Sequence, residues 1–195
     1  MNVFVLSTGR SGSKTFFKAC SHIENYSTGH ERNWGKVGKD RLIYPENYIA
    51  IDNRLTWLLG KLDKKYGNSA FYVHLKRNRD EVAESLNKRW KGYPSIIEAY
   101  RKNIIVTKDR TINICYDYYD TVNSNIEMFL KDKEYKMKFN MDNCENDFEL
   151  FWKKIKAKGE FEKAMEEWDR TYNSSKDNSV ITLGKLIYKF KKFMS

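Results

Sequence analysis

The sequence predicts an α/β fold: a three-layer sandwich in which a central, mainly parallel sheet is flanked by helices, with a helical C-terminal part. Three observations carry it. Apolar runs of strand length alternate with amphipathic stretches of helix length along most of the 195 residues. Two basic loops, the first rich in glycine and serine, follow directly on apolar runs, at the carboxyl ends where open parallel sheets bind ligands. Length and composition suit one compact domain, with 41% hydrophobic residues, only two prolines and no low-complexity tract.

In chain order, Val3-Phe4-Val5-Leu6 marks a strand over 2–7, and a helix over 12–22 follows. A polar loop extends to about 46, then Tyr48-Ile49-Ala50-Ile51 gives a strand over 47–52. The next helix, 54–66, has Leu55, Leu58, Leu59 and Leu62 on one face. A strand over 69–76 leads into helices over 79–91 and 95–108, and these into a strand over 111–116 and a helix over 121–131. A short strand at 135–141 and helices at about 146–158, 160–172 and 183–194 complete the chain. The last helix sets Leu183, Leu186, Ile187, Phe190, Phe193 and Met194 against Lys185, Lys189, Lys191 and Lys192. Such a helix packs its apolar face on its own domain or lies on an anionic membrane surface.

No run of 18 apolar residues and no signal-peptide core is present, and Cys20, Cys115 and Cys144 lack metal-ligand spacing. A soluble, cytoplasmic protein with reduced thiols is expected. The net charge of +10, from 36 Lys and Arg against 26 Asp and Glu, calls for anionic partners. Because the charge is spread along the chain instead of forming a stripe, a cofactor cleft is favoured over a nucleic-acid surface.

The first loop, Thr8-Gly9-Arg10-Ser11-Gly12-Ser13-Lys14-Thr15, makes a strand, loop, helix unit. Glycines allow close backbone approach, the helix start presents N–H groups to an anion, and Arg10 and Lys14 add full charges. The unit is P-loop-like. Counting back from Lys14-Thr15, however, puts Ser13 and Thr8 where a Walker A loop needs glycine. The second loop ends the strand Phe71-Tyr72-Val73-His74-Leu75 and carries Arg77, with Ser85 eight residues on. Long helical side chains lean toward the N-terminus, so Arg77 and Ser85 can converge on one anion. The competing reading pairs Arg77 with Asp80 or Glu81 and leaves Ser85 as an ordinary helix-surface residue.

Together the two segments resemble the sulfotransferases that use 3′-phosphoadenosine 5′-phosphosulfate (PAPS), including the spacing between Arg77 and Ser85. The likeness is close over about 35 residues and loose over about 150. Two departures stand out: the family's proline is Arg79 here, and its Gly-Thr step is Gly12-Ser13. The resemblance implies that Arg10, Ser11, Gly12, Ser13, Lys14 and Thr15 hold the 5′-phosphosulfate, and Arg77 and Ser85 the 3′-phosphate. It also places Tyr116, at the end of the strand over 111–116, against the adenine.

The resemblance implies transfer of a sulfuryl group to a hydroxyl or amine of a small-molecule, carbohydrate or lipid acceptor, with release of 3′,5′-ADP and no metal. Arg10 and Lys14 would stabilise the transferring group, and a base would take the acceptor's proton. The order of candidates is Glu31, because carbohydrate-type relatives often carry a glutamate in such a His-Glu pair, then His30, then Asp52. The loop from Ser27 to Glu46 would line the acceptor pocket. His74 reads as a core residue, and His22 as the close of the first helix. The rival is a P-loop nucleotide kinase or NTPase using ATP with magnesium, with Lys14-Thr15 on the phosphates and Asp52 as the metal ligand.

Overall fold

In the computed structural model, which describes residues 1–89 and 95–170, five strands form one sheet. They are β1 (Val3–Leu6), β2 (Ser27–His30), β3 (Tyr48–Ile51), β4 (Phe71–Lys76) and β5 (Lys136–Asn140). All pairings are parallel and the order is β2-β3-β1-β4-β5. Seven α-helices are described: α1 (Ser13–Cys20), α2 (Leu59–Tyr66), α3 (Arg79–Arg89), α4 (Ile96–Asn103), α5 (Thr111–Leu130), α6 (Cys144–Lys154) and α7 (Phe161–Glu166).

Alternation along the strands divides the core into two. Phe4, Leu6, Ala50 and Tyr72 point to one face, where α2, α3, α4 and α5 bring Leu62, Val82, Leu86, Ile97, Tyr118 and Val122. Val3, Val5, Ile49, Ile51, Val73 and Leu75 point to the other, against Phe16 and Ala19 of α1, Phe148 and Phe151 of α6, and Ala164 of α7. Strands buried on both faces must be apolar at every position, which is why β1 and β3 read as unbroken apolar runs. The three layers expected from the sequence are therefore present.

Four expectations need correction. The segment 111–116 is the start of α5, and with 121–131 it makes one helix of 20 residues. Ile112, Ile114 and Cys115 look like strand residues locally. Yet Ile114, Cys115, Tyr118, Tyr119, Val122, Ile126 and Leu130 recur at helical spacing and bury together, and burial of that long stripe overrides local β-propensity. The strand that takes the vacated place in the count is β2, inside the expected polar loop. Its residues Ser27, Thr28, Gly29 and His30 carry no apolar signal; β2 is an edge strand held by pairing with β3. The helix over 54–66 begins as a 3₁₀ turn, Asn53–Trp57, because Asp52 accepts a hydrogen bond from the Arg54 N–H and starts a tight turn ahead of α2. The helix over 95–108 shortens to α4, while the amphipathic helix over 183–194 lies outside the described residues. Among the described residues no helix is long and apolar enough to cross a membrane.

His74 is a core residue, 1% exposed. Its Nε2 donates to Oδ1 of Asn123 at 2.8 Å, and Nδ2 of Asn123 donates to the Tyr119 carbonyl, which fixes the amide's orientation. Burial lowers the His74 pKa below its ordinary 6.5. A depressed folded-state pKa gives stability that is full above 6.5 and lost as pH falls, because the unfolded chain takes up the proton first. His74→Gln, which keeps a donor to Asn123, is expected to flatten the fall in melting temperature between pH 6.5 and 5. An unchanged slope in that variant would remove His74 as the cause.

Candidate active site

The site is built where two adjacent strands send their helices to opposite faces. β1 and β4 pair side by side, but α1 packs on one face of the sheet and α3 on the other. The loops between them diverge and leave a crevice at the carboxyl ends, the topological switch point of an open parallel sheet. Both sequence motifs lie on its walls. Arg10, Gly12, Ser13, Lys14, Thr15 and Arg77 line a cavity of about 310 Å³ there, with Glu81, Met141, Asp142, Trp168 and Arg170.

The first loop is folded tightly. Ser7, Thr8 and Ser11 are each about 1% exposed, and the Thr8 and Ser11 hydroxyls hydrogen-bond at 2.6 Å. Arg10 and Gly12 both take left-handed backbone conformations, with φ of 70° and 85°. Gly12 is the N-cap of α1, and a Cβ there would stand 2.6 Å from Cε of Met141. The absence of an acidic residue from the first turn of α1 leaves the positive end of the helix available to an anion.

The second loop begins at Arg77. Asn78 accepts from the N–H groups of Asp80 and Glu81 and so caps α3. Arg77 donates from Nε and Nη2 to the same Glu81 oxygen, at 2.7 and 2.6 Å. Ser85 does not line the cavity. Instead its Oγ accepts from Nε of Arg10 at 2.9 Å, tying two residues 75 apart in sequence. The expected convergence of Arg77 and Ser85 on one point is thus replaced by two pairs, Arg10 with Ser85 and Arg77 with Glu81. The competing sequence reading of Arg77 is the one observed. Burial lowers the Arg10 pKa to about 10, and the nearby charges of Arg89 and Arg77 add to the effect. Cations crowded this way are relieved by a bound anion.

Helix α5 braces both loops from below. Tyr119 donates its hydroxyl to the Arg77 carbonyl at 2.8 Å, and burial pushes the Tyr118 phenol pKa up to about 12, opposed by the nearby Gly9 main chain. Both rings are buried. Tyr116, expected at a strand end beside the adenine, sits on this helix and outside the cavity lining. Its ring lies 4.2 Å under the Arg79 guanidinium, which in turn holds Asp120 in a bidentate pair. The helical course of the segment turned Tyr116 away, and its neighbours Tyr118 and Tyr119 took the roles near the site.

The three base candidates flank the cavity without lining it. Nε2 of His30 stands 3.1 Å from the Ser13 hydroxyl. Burial depresses the His30 pKa below 6.5, Glu31 and Asp52 oppose the shift, and Lys14 and Arg54 reinforce it. Glu31 is paired with Arg54 at 2.6 Å and accepts from Asn53 at 3.4 Å. Asp52 is 2% exposed, with one oxygen on Arg41 and the other on the Arg54 N–H. His22 does not cap α1, whose C-cap is Ser21; its Nε2 meets Glu167 at 3.2 Å. Among the described residues no group of three or more His, Cys, Asp or Glu is arranged around a common metal position.

Sequence reasoning missed Tyr118, Tyr119, Trp168 and Arg170. The first two were legible in the helical spacing of residues 114–130, whereas Trp168 and Arg170 belong to no local motif and reach the site only through the fold. Compared with known proteins, the chain matches no protein-family model and no curated sequence.

Proposed function

We propose that this chain is a P-loop-like sulfotransferase that moves a sulfuryl group from PAPS to an acceptor hydroxyl. The observation that carries the reading is the hydrogen bond from Arg10 to Ser85, which joins the two phosphate-type loops across β1 and β4 into one cationic crevice. The donor set suits a ligand with separate anionic groups: the N-terminus of α1 with Arg10 and Lys14 on one side, Arg77 on the other. The magnesium-ATP reading asks Asp52 to face a metal, yet both of its oxygens are already committed to Arg41 and Arg54.

In the transfer, an acceptor oxygen attacks sulfur, the sulfur to phosphate-oxygen bond breaks, and the electron pair leaves on 3′,5′-ADP. Arg10, Lys14 and the α1 N–H groups stabilise charge on the transferring and leaving oxygens. The acceptor's proton goes to His30. Its depressed pKa keeps the imidazole neutral at pH 7, while the carboxylate of Glu31 is held by Arg54. His30 therefore moves ahead of Glu31 as the base. The acid limb of the rate profile should lie below pH 6.5, because only protonation of the imidazole silences it. The loop after β2, with exposed Trp34, Val37 and Ile43, faces the acceptor side.

At one hundred times its dissociation constant, 3′,5′-ADP should stabilise the fold by about 2.7 kcal/mol and raise the melting temperature by about 5–10 °C. Stabilisation by ATP with magnesium and not by 3′,5′-ADP overturns the proposal. Labelled-sulfate transfer to sugars, phenols and lipids then identifies the acceptor. His30→Gln should suppress turnover more than Glu31→Gln, and the reverse order returns the base to Glu31.

A further inference from the structure

The cavity has a third wall that neither motif supplies. It comes from the 3₁₀ turn Glu167–Asp169, which follows α7, and from the next residue, Arg170. The turn is fixed in place. The Trp168 ring stacks on Phe139 at 5.4 Å and packs against Phe148 and Phe16 at 5.2 and 6.0 Å. Glu167, 6% exposed, meets His22 of the segment after α1 and Nη1 of Arg170, each at 3.2 Å. Arg170 also stands 3.8 Å from Glu166. Two acidic residues thus orient its guanidinium where it lines the cavity.

Trp168 adds a second observation. Its indole Nε1 is buried and has no hydrogen-bond partner among the described residues, although an unsatisfied buried donor is unfavourable. A structural tryptophan would pair this donor or turn it to water. The residue that carries it lines the cavity, together with Arg10, Lys14, Arg77 and Arg170 and the acidic Glu81 and Asp142.

We infer that Trp168 and Arg170 are ligand-positioning residues, which hold an oxyanion of the bound ligand from the side opposite the two motif loops. Arg170 supplies charge-assisted hydrogen bonds and Trp168 a single neutral one. With Met141 and Asp142 after β5, the cavity is then walled by four segments distant in sequence. The inference rests on the proposed function for the ligand's identity, but its chemistry requires only a phosphoryl or sulfuryl oxygen.

The test is calorimetric titration of the full chain with 3′,5′-ADP and, separately, with inorganic pyrophosphate. Arg170→Gln should weaken both by about tenfold and Trp168→Phe by about threefold. Lys131→Gln, at the C-terminus of α5, controls for net charge and should leave both unchanged. Trp168→Phe keeps the apolar ring contacts, so its unliganded melting temperature should equal or exceed that of the parent while affinity falls. A merely structural tryptophan would lower the melting temperature and spare affinity. Parental affinity in both cavity variants overturns the inference and leaves the sulfotransferase reading standing. Binding of pyrophosphate but not 3′,5′-ADP, weakened by both variants, upholds the inference and sinks that reading. An equal loss in Lys131→Gln, or a parent that binds neither ligand, overturns the inference.

Discussion

Replacing Phe16 by alanine is expected to cost about 3–5 kcal/mol, the largest single loss of stability the fold offers. Phe16 lies on α1 just past the anion loop and is fully buried. Its ring meets Phe139 and Phe151 edge-on at 5.0 and 5.1 Å, and Phe148 and Trp168 at 6.0 Å. These partners come from β5, α6 and the turn after α7, so one ring joins the sheet to α6 and to that turn. Removal leaves a cavity that four aromatic neighbours cannot collapse into, and edge-to-face contacts are lost beyond the transfer term. For a domain of this size the melting temperature should fall by about 10 °C or more. Thermal or urea unfolding measures it, and a loss below about 1 kcal/mol would show that the layer repacks. Phe16→Leu, which retains most of the volume, should cost much less.

The second large effect falls on binding and has the opposite sign in the unliganded protein. Arg10→Gln should weaken 3′,5′-ADP binding by about a hundredfold, because it removes the charge on which the first loop and the Ser85 bond converge. The unliganded chain should be no less stable. Burial and the charges of Arg89 and Arg77 hold the folded Arg10 pKa near about 10, below its ordinary 12.5. A cation with a depressed folded-state pKa is penalised by folding at every pH below that value, so neutralising it lifts the penalty. Titration of the ligand and an unliganded melt in the same buffer separate the two effects. A variant that binds normally, or one that unfolds on its own, contradicts this account of Arg10.

Much of the architecture was legible because three of its five strands are apolar along most of their length. β1, β3 and β4 announce themselves in Val3-Phe4-Val5-Leu6, Tyr48-Ile49-Ala50-Ile51 and Phe71-Tyr72-Val73-His74-Leu75, since a strand covered on both faces admits a polar side chain only where it is paired, as His74 is with Asn123. β2 was illegible for the converse reason. An edge strand made of Ser27, Thr28, Gly29 and His30 is specified by pairing with β3, an interaction between backbones that leaves no side-chain signature. The start of α5 was misread because Ile112, Ile114 and Cys115 mimic a strand within a short window. At the site, Arg10, Lys14 and Arg77 were legible because phosphate chemistry demands cations beside a helix start. The partner of Ser85 was not, since sequence spacing relates Ser85 to Arg77 just ahead of the same helix and says nothing of Arg10 on the neighbouring loop. Trp168 and Arg170 were hidden for the same reason: what brings them to the crevice is the packing of α7 and its turn against α1.

The pair Tyr118 and Tyr119 carries a mechanical consequence. Consecutive residues on one buried helix reach the first loop at Gly9 and the second at the Arg77 carbonyl. A displacement of either loop is therefore passed to its neighbour across adjacent positions of one rigid helix. The two loops are thereby expected to loosen or tighten together.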